Sequence, residues 1–185
     1  TPQVLEFVKA WSGHGFGSVI IFLVFGTLLT LVLQSSSATM AITLIMLSMG
    51  WIPFNMACAM VLGENIGTTI TANIAAAVGN TQAKRAAMSH TIFNVTGVIW
   101  ALILFKPFLA LVGKITEVVF GIPNPAAEGF AVVSPTDPTA TSALYGLSML
   151  HTLFNTINTL ILIWFVKFIE KAVMWIIKAP KNQEK

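Results

Sequence analysis

The chain has 185 residues, of which 56% are hydrophobic and 9% charged, with a net charge of +3 and a mean hydropathy of +0.83. Soluble domains carry about 25% charged residues, so this composition excludes an ordinary soluble fold, and the basic residues lie at the ends of apolar stretches, which speaks against nucleic-acid binding. A single cysteine, Cys58, excludes an internal disulfide and a cysteine-based metal site.

No Asp, Glu, Lys or Arg occurs from Ala10 to Gly63, and Asn65–Ala83, Ala86–Phe105 and Pro138–Val166 are equally free of them. Windows of about 20 such residues read as transmembrane helices. The apolar region is too long for a secretory signal peptide. The expected class is an all-α, polytopic membrane protein.

In chain order, Thr1–Gly13 reads as a short interfacial helix, ended by Gly13, Gly15 and Gly17, with His14 a solvated loop residue. Ser18–Leu33 and Ala38–Met49 are short apolar helices separated by the polar run Gln34-Ser35-Ser36-Ser37. Residues 14–50 therefore predict a re-entrant hairpin, with the polar run at a cavity, because non-helical backbone at membrane depth needs protein or water around it. Residues 53–79 predict a span broken at mid-depth by Gly63-Glu64-Asn65-Ile66-Gly67-Thr68-Thr69. Residues 86–105 predict a continuous span. Residues 108–138 predict a partly embedded helix followed by a proline-rich loop, and 139–177 a last span. Residues 179–185 form a polar tail. Lys84 and Arg85 before one span, and Lys167, Lys171, Lys178, Lys181 and Lys185 after the next but one, place both groups and the C-terminus in the cytoplasm, against the opposing Lys106 and Lys114. The hairpin then opens to the outside.

Broken helices inside a membrane offer free N–H groups and a positive dipole end to anions, and carbonyl and hydroxyl oxygens to small cations. Ser35, Ser36, Ser37 and Thr39 precede or open a helix and can cap it. The same logic gives Asn65, Thr68 and Thr69 as neutral oxygen ligands for Na+. Glu64 is the one carboxylate in the embedded first half, where an ionisable group is functional by default or held by a helix N-terminus. His-Thr-x-Phe-Asn occurs twice, at His90–Asn94 and His151–Asn155. His and Asn four apart share a helix face, so two such faces can meet and present Asn94 and Asn155 as carbonyl donors, or simply fasten the bundle.

Gln34-Ser35-Ser36-Ser37-Ala38-Thr39, Gly63-Glu64-Asn65-Ile66-Gly67-Thr68-Thr69-Ile70-Thr71-Ala72-Asn73, Lys84-Arg85-Ala86-Ala87 and His90-x-x-Phe93-Asn94, in this order, resemble the sodium-dependent phosphate cotransporter family. The resemblance covers nearly the whole chain. It implies Na+-coupled uptake of inorganic phosphate by two inverted repeats, each with a QSSS motif on a re-entrant hairpin. It gives Gln34, Ser35, Ser36 and Ser37 as phosphate-binding residues, and Ser37, Thr39, Asn65, Thr68, Thr69 and Asn94, with Asn155 beside them, as sodium-binding residues. Na+ is then a coupling ion, and no cofactor is expected. This chain has one QSSS and one GENIGTT, so it reads as the second repeat alone, one half of an inverted-repeat transporter. Its partners would be the lipid bilayer, a complementary first repeat or another copy of itself, and a PhoU-like domain after the C-terminus. The short loops suit a bacterial inner membrane. Two rival classes remain: a channel or structural membrane subunit without Na+ coupling, and a membrane serine hydrolase using Ser36 with His90 or His151, which lacks an acidic orienter near either histidine.

Overall fold

The computed structural model describes residues 2–178, which are all-helical, with no strand among the described residues. The polar tail expected at 179–185 lies outside them. Helix α1 (Pro2–Trp11) matches the expected N-terminal helix. A glycine turn follows, in which Gly15 has a positive φ of 59°.

Helices α2 (Phe16–Leu33) and α3 (Ser36–Ser48) form the expected helical hairpin. The turn between them is made by two residues with different chemistry. Gln34 ends α2 in the left-handed region at φ 51°, the one non-glycine residue to do so among the described residues. Ser35 then starts α3 in extended conformation, its hydroxyl accepting from the Ala38 amide at 3.2 Å. At 18 residues, α2 extends about 27 Å at 1.5 Å per residue, close to the roughly 30 Å of bilayer hydrocarbon. It is two residues longer at its start than the sequence reading had it.

Helix α4 (Phe54–Ala76) is unbroken. This corrects the expected interruption at Gly63–Thr69. The two glycines open no break; they let two helices touch. A Cβ on Gly63 would overlap the Leu23 carbonyl of α2, and one on Gly67 would fall 2.7 Å from the Thr30 Cβ. Gly26 of α2 meets the Met60 carbonyl in the same way. The hydroxyl of Thr27 seals the crossing by donating to Gly63 O at 2.9 Å. The result is a small-residue helix crossing, with Met56–Glu64 of α4 buried in the core.

Helix α5 (Thr81–Ile103) begins five residues before the expected span, capped by the Asn80 side chain. The α2 and α5 helices are long and apolar enough to cross a membrane, with mean hydropathies of 2.6 and 1.4. Helix α6 (Phe105–Phe120) follows after a bend at Leu104, with Pro107 in its first turn, where a missing N–H costs nothing. It buries one face (Phe105, Phe108, Leu109, Val112, Thr116) and exposes another. The loop at 121–137 lies against α6 and α7, with Asn124 seated over Gly113 and Pro125 over Gly146.

Helix α7 (Pro138–Leu162) is capped by Asp137. The expected continuous span to 177 is interrupted: residues Ile163–Phe165 tighten into a 3-10 turn, and α8 (Val166–Ile176) follows as a separate helix. Arg85 Nε donates to Ile177 O at 3.1 Å. The start of α5 and the end of α8 thus meet.

Candidate functional site

Four helices place polar groups around one cavity of about 370 Å³, lined by Ser36 and Ser37 of α3, Glu64, Asn65 and Thr68 of α4, His90 of α5 and His151 of α7, with Met40, Ala41 and Leu44 as its apolar wall. The N-terminus of α3 contributes most. The first amides of a helix have no carbonyl four residues back. Ser35 satisfies that of Ala38, and the Ser36 and Ser37 amides have no helical acceptor. Ser37 is exposed and Ser36 half-buried.

On α4, helical phase separates two jobs. Gly63 and Gly67 face α2, while Glu64, Asn65 and Thr68 face the cavity. Asn65 Nδ2 donates to Val61 O at 2.8 Å, and among the described residues its Oδ1 has no hydrogen-bond partner. Thr68 Oγ1 donates to Glu64 O at 2.9 Å, which leaves its lone pairs available. Glu64 is 4% exposed, and its Oε2 is the one buried side-chain polar atom without a hydrogen-bond partner among the described residues.

The remaining predicted residues divide. Gln34 is exposed at the hairpin turn, and Ser35 spends its hydroxyl on the helix cap; both adjoin the cavity along the chain without lining it. Thr39 is fully buried away from it, its hydroxyl 3.1 Å from Ser35 O and 3.0 Å from the Thr30 hydroxyl of α2. Thr69 is buried and back-bonds to Ile66 O. Asn94 is buried with its amide on His90 O at 3.2 Å, and Asn155 is half-buried with its amide on His151 O at 2.8 Å. Side-chain bonding to a residue's own helix is what hydroxyls and amides do in the absence of another partner.

The histidines of both His-Thr-x-Phe-Asn segments line the cavity. Their asparagines are not joined to each other. The residue that crosses is Asn158, which the sequence reading missed: its Nδ2 donates to Phe93 O at 2.9 Å and its Oδ1 accepts from Trp100 Nε1 at 3.1 Å. Gly97 leaves room for it, since a Cβ there would lie 2.7 Å from Asn158 Nδ2. Spacing hid it: Asn158 falls outside the repeated motif. No hydrogen bond joins Ser36 to His90 or His151 among the described residues, so a serine–histidine pair is not assembled.

Residues 6–123 match the family described as Na+/Pi-cotransporter. The chain is 37% identical over 139 residues, 75% of its length, to a Bacillus subtilis protein described as "Uncharacterized protein YqeW". The matched stretch covers 38% of that relative, so this chain spans well under half its length. No solved structure matches the chain.

Proposed function

The chain belongs to the Na+/Pi-cotransporter family, and from that premise we propose that it supplies one half of a secondary transporter coupling Na+ entry to the uptake of inorganic phosphate. The observation that carries this reading is the convergence of Ser36, Ser37, Asn65 and Thr68 on one cavity at the start of α3. An oxyanion there meets two free backbone amides, two serine hydroxyls and the positive end of a helix, equivalent to roughly half a charge. Among the described residues no lysine or arginine lines the cavity. Such a site binds an anion by oriented dipoles and releases it again, as transport demands.

In this reading Ser36 and Ser37 hold phosphate, with Gln34 and Ser35 shaping the turn beside it. Asn65 Oδ1 and the hydroxyls of Thr68 and Ser37 are the nearest neutral oxygens for Na+. Thr39, Thr69, Asn94 and Asn155 do not line the cavity and act by fixing the helices that do. The hairpin α2–α3 is re-entrant, and its exposed Gln34 and Ser37 await a facing surface from a complementary repeat or a second copy of the chain. The C-terminus is cytoplasmic, where a PhoU-like domain would follow. Na+ is the coupling ion, no cofactor takes part, and Ser36 is a ligand and not a nucleophile.

The test is radiolabelled phosphate uptake into proteoliposomes holding the full-length protein. Uptake driven by an inward Na+ gradient and absent with K+ supports symport. Uptake indifferent to the cation supports a channel. No uptake by correctly inserted protein overturns the transport reading.

A further inference from the structure

The cavity wall holds a buried carboxyl group with one oxygen that no donor answers among the described residues. Glu64 is buried on the cavity side of α4, and its Oε2 has neither a hydrogen-bond donor nor exposure to solvent. The groups that share its surroundings are the α3 serines, Asn65 and Thr68 on its own helix, His90 of α5 and His151 of α7. Neither histidine is within ion-pair distance, and the one ion pair among the described residues, Lys114–Glu117, lies on α6. Helix α2 brings no ionisable side chain to this face. A buried carboxylate without a counter-charge is strongly unfavourable, and one beside a phosphate site would also repel the anion.

We propose that Glu64 is the charged ligand of a monovalent-cation site, completed by the neutral oxygens of Asn65 and Thr68, that fills in the absence of phosphate. Asn65 and Thr68 sit within one turn of Glu64, on its side of the helix, and each leaves oxygen lone pairs unused. One carboxylate with neutral oxygens matches a single positive charge. Among the described residues no set of three His, Cys, Asp or Glu side chains could hold a metal ion, which argues against a divalent or transition-metal site. The bound cation cancels the carboxylate's charge and lets an anion approach the adjacent start of α3. This assignment rests on the cavity described above but not on phosphate being its anion.

The experiment is thermal unfolding of the full-length protein in phosphate-free buffer, titrated with NaCl against choline chloride at constant ionic strength. The wild type is expected to gain a saturable, Na+-specific rise in Tm, and Glu64→Gln to lose that rise while being at least as stable as the wild type in choline. An equal Na+ shift in both proteins, or none in the wild type, overturns the proposal. If Glu64→Gln does not fold, Glu64→Asp withdraws the charge by one methylene and should raise the Na+ concentration needed for half the shift; an unchanged concentration overturns it too. A Na+ shift that depends on Glu64 in a protein that never binds phosphate leaves the cation site standing and removes the transport reading.

Discussion

Two polar runs interrupt the apolar first half of this chain, and they fold in opposite ways. Gln34-Ser35-Ser36-Ser37 turns the backbone, while Gly63-Glu64-Asn65-Ile66-Gly67-Thr68-Thr69 passes through one continuous helix. The first contains no glycine, yet Gln34 takes a positive φ and Ser35 caps the next helix. The second has two glycines, both in helical conformation and both pressed against α2. A glycine pair four residues apart in an apolar segment is a contact face before it is a break. A run of short hydroxyl side chains, which bind their own backbone, is the stronger stop signal. The polar groups of both runs reach the same cavity, one set from a helix end and the other from a helix side.

The largest effect expected from breaking this contrast is at the glycine crossing. Gly63→Val forces side-chain atoms into the Leu23 carbonyl, where neither backbone can yield, and should cost more than about 3 kcal/mol. Loss of monodisperse folded protein on size-exclusion chromatography would report it. Gly17→Ala, where a Cβ meets only ordinary contact at 3.9 Å, should stabilise by about 0.5 kcal/mol. If both variants behave alike, the glycines of α4 are not a packing surface.

Asn158→Leu comes next. It strands the Trp100 indole N–H and loosens α5 from α7, at a cost of about 2 kcal/mol, measurable by chemical or thermal unfolding with tryptophan fluorescence. Ser35→Ala removes the cap that makes the first run a break and should cost about 1 kcal/mol, with hydrogen exchange quickening first at the Ala38 amide.

The smallest effect concerns another capped start, α7. The Thr139 hydroxyl, and then its amide, hold the Asp137 carboxyl below the usual carboxylate range. A lowered folded value means that the stabilisation is present above the ordinary carboxylate pKa of about 3.9 and disappears as pH falls through the lower folded value. Asp137→Asn should lose that contribution at neutral pH, match the wild type in acid and so flatten the pH dependence, as pH-resolved melting curves would show.

Much of this was legible beforehand, for identifiable reasons. The helical hairpin and its turn follow from hydroxyl capping chemistry, which is local; the start of α5 at Thr81, capped by Asn80, falls five residues before the expected one. The unbroken course of α4 was not legible, because the use of Gly63 and Gly67 is decided by Leu23 and Thr30, far away in sequence. The 3-10 turn at Ile163–Phe165 lies inside an uninterrupted apolar pattern that carries no mark of it. At the site, Ser36, Ser37, Asn65 and Thr68 were anticipated and share the cavity. Thr39 and Thr69 carry the same chemistry one residue or one helical phase away and face elsewhere. Residue type located the neighbourhood, and helical phase chose among its members.

The central claim is that the start of α3 is an anion site while the adjoining face of α4 holds the cation. The most direct measurement is equilibrium binding of radiolabelled phosphate to the purified full-length protein, wild type against Ser36→Ala, with the Na+-induced Tm shift recorded on the same samples. The account predicts that Ser36→Ala loses phosphate binding and keeps the Na+ shift. Undiminished phosphate binding by folded Ser36→Ala would contradict it.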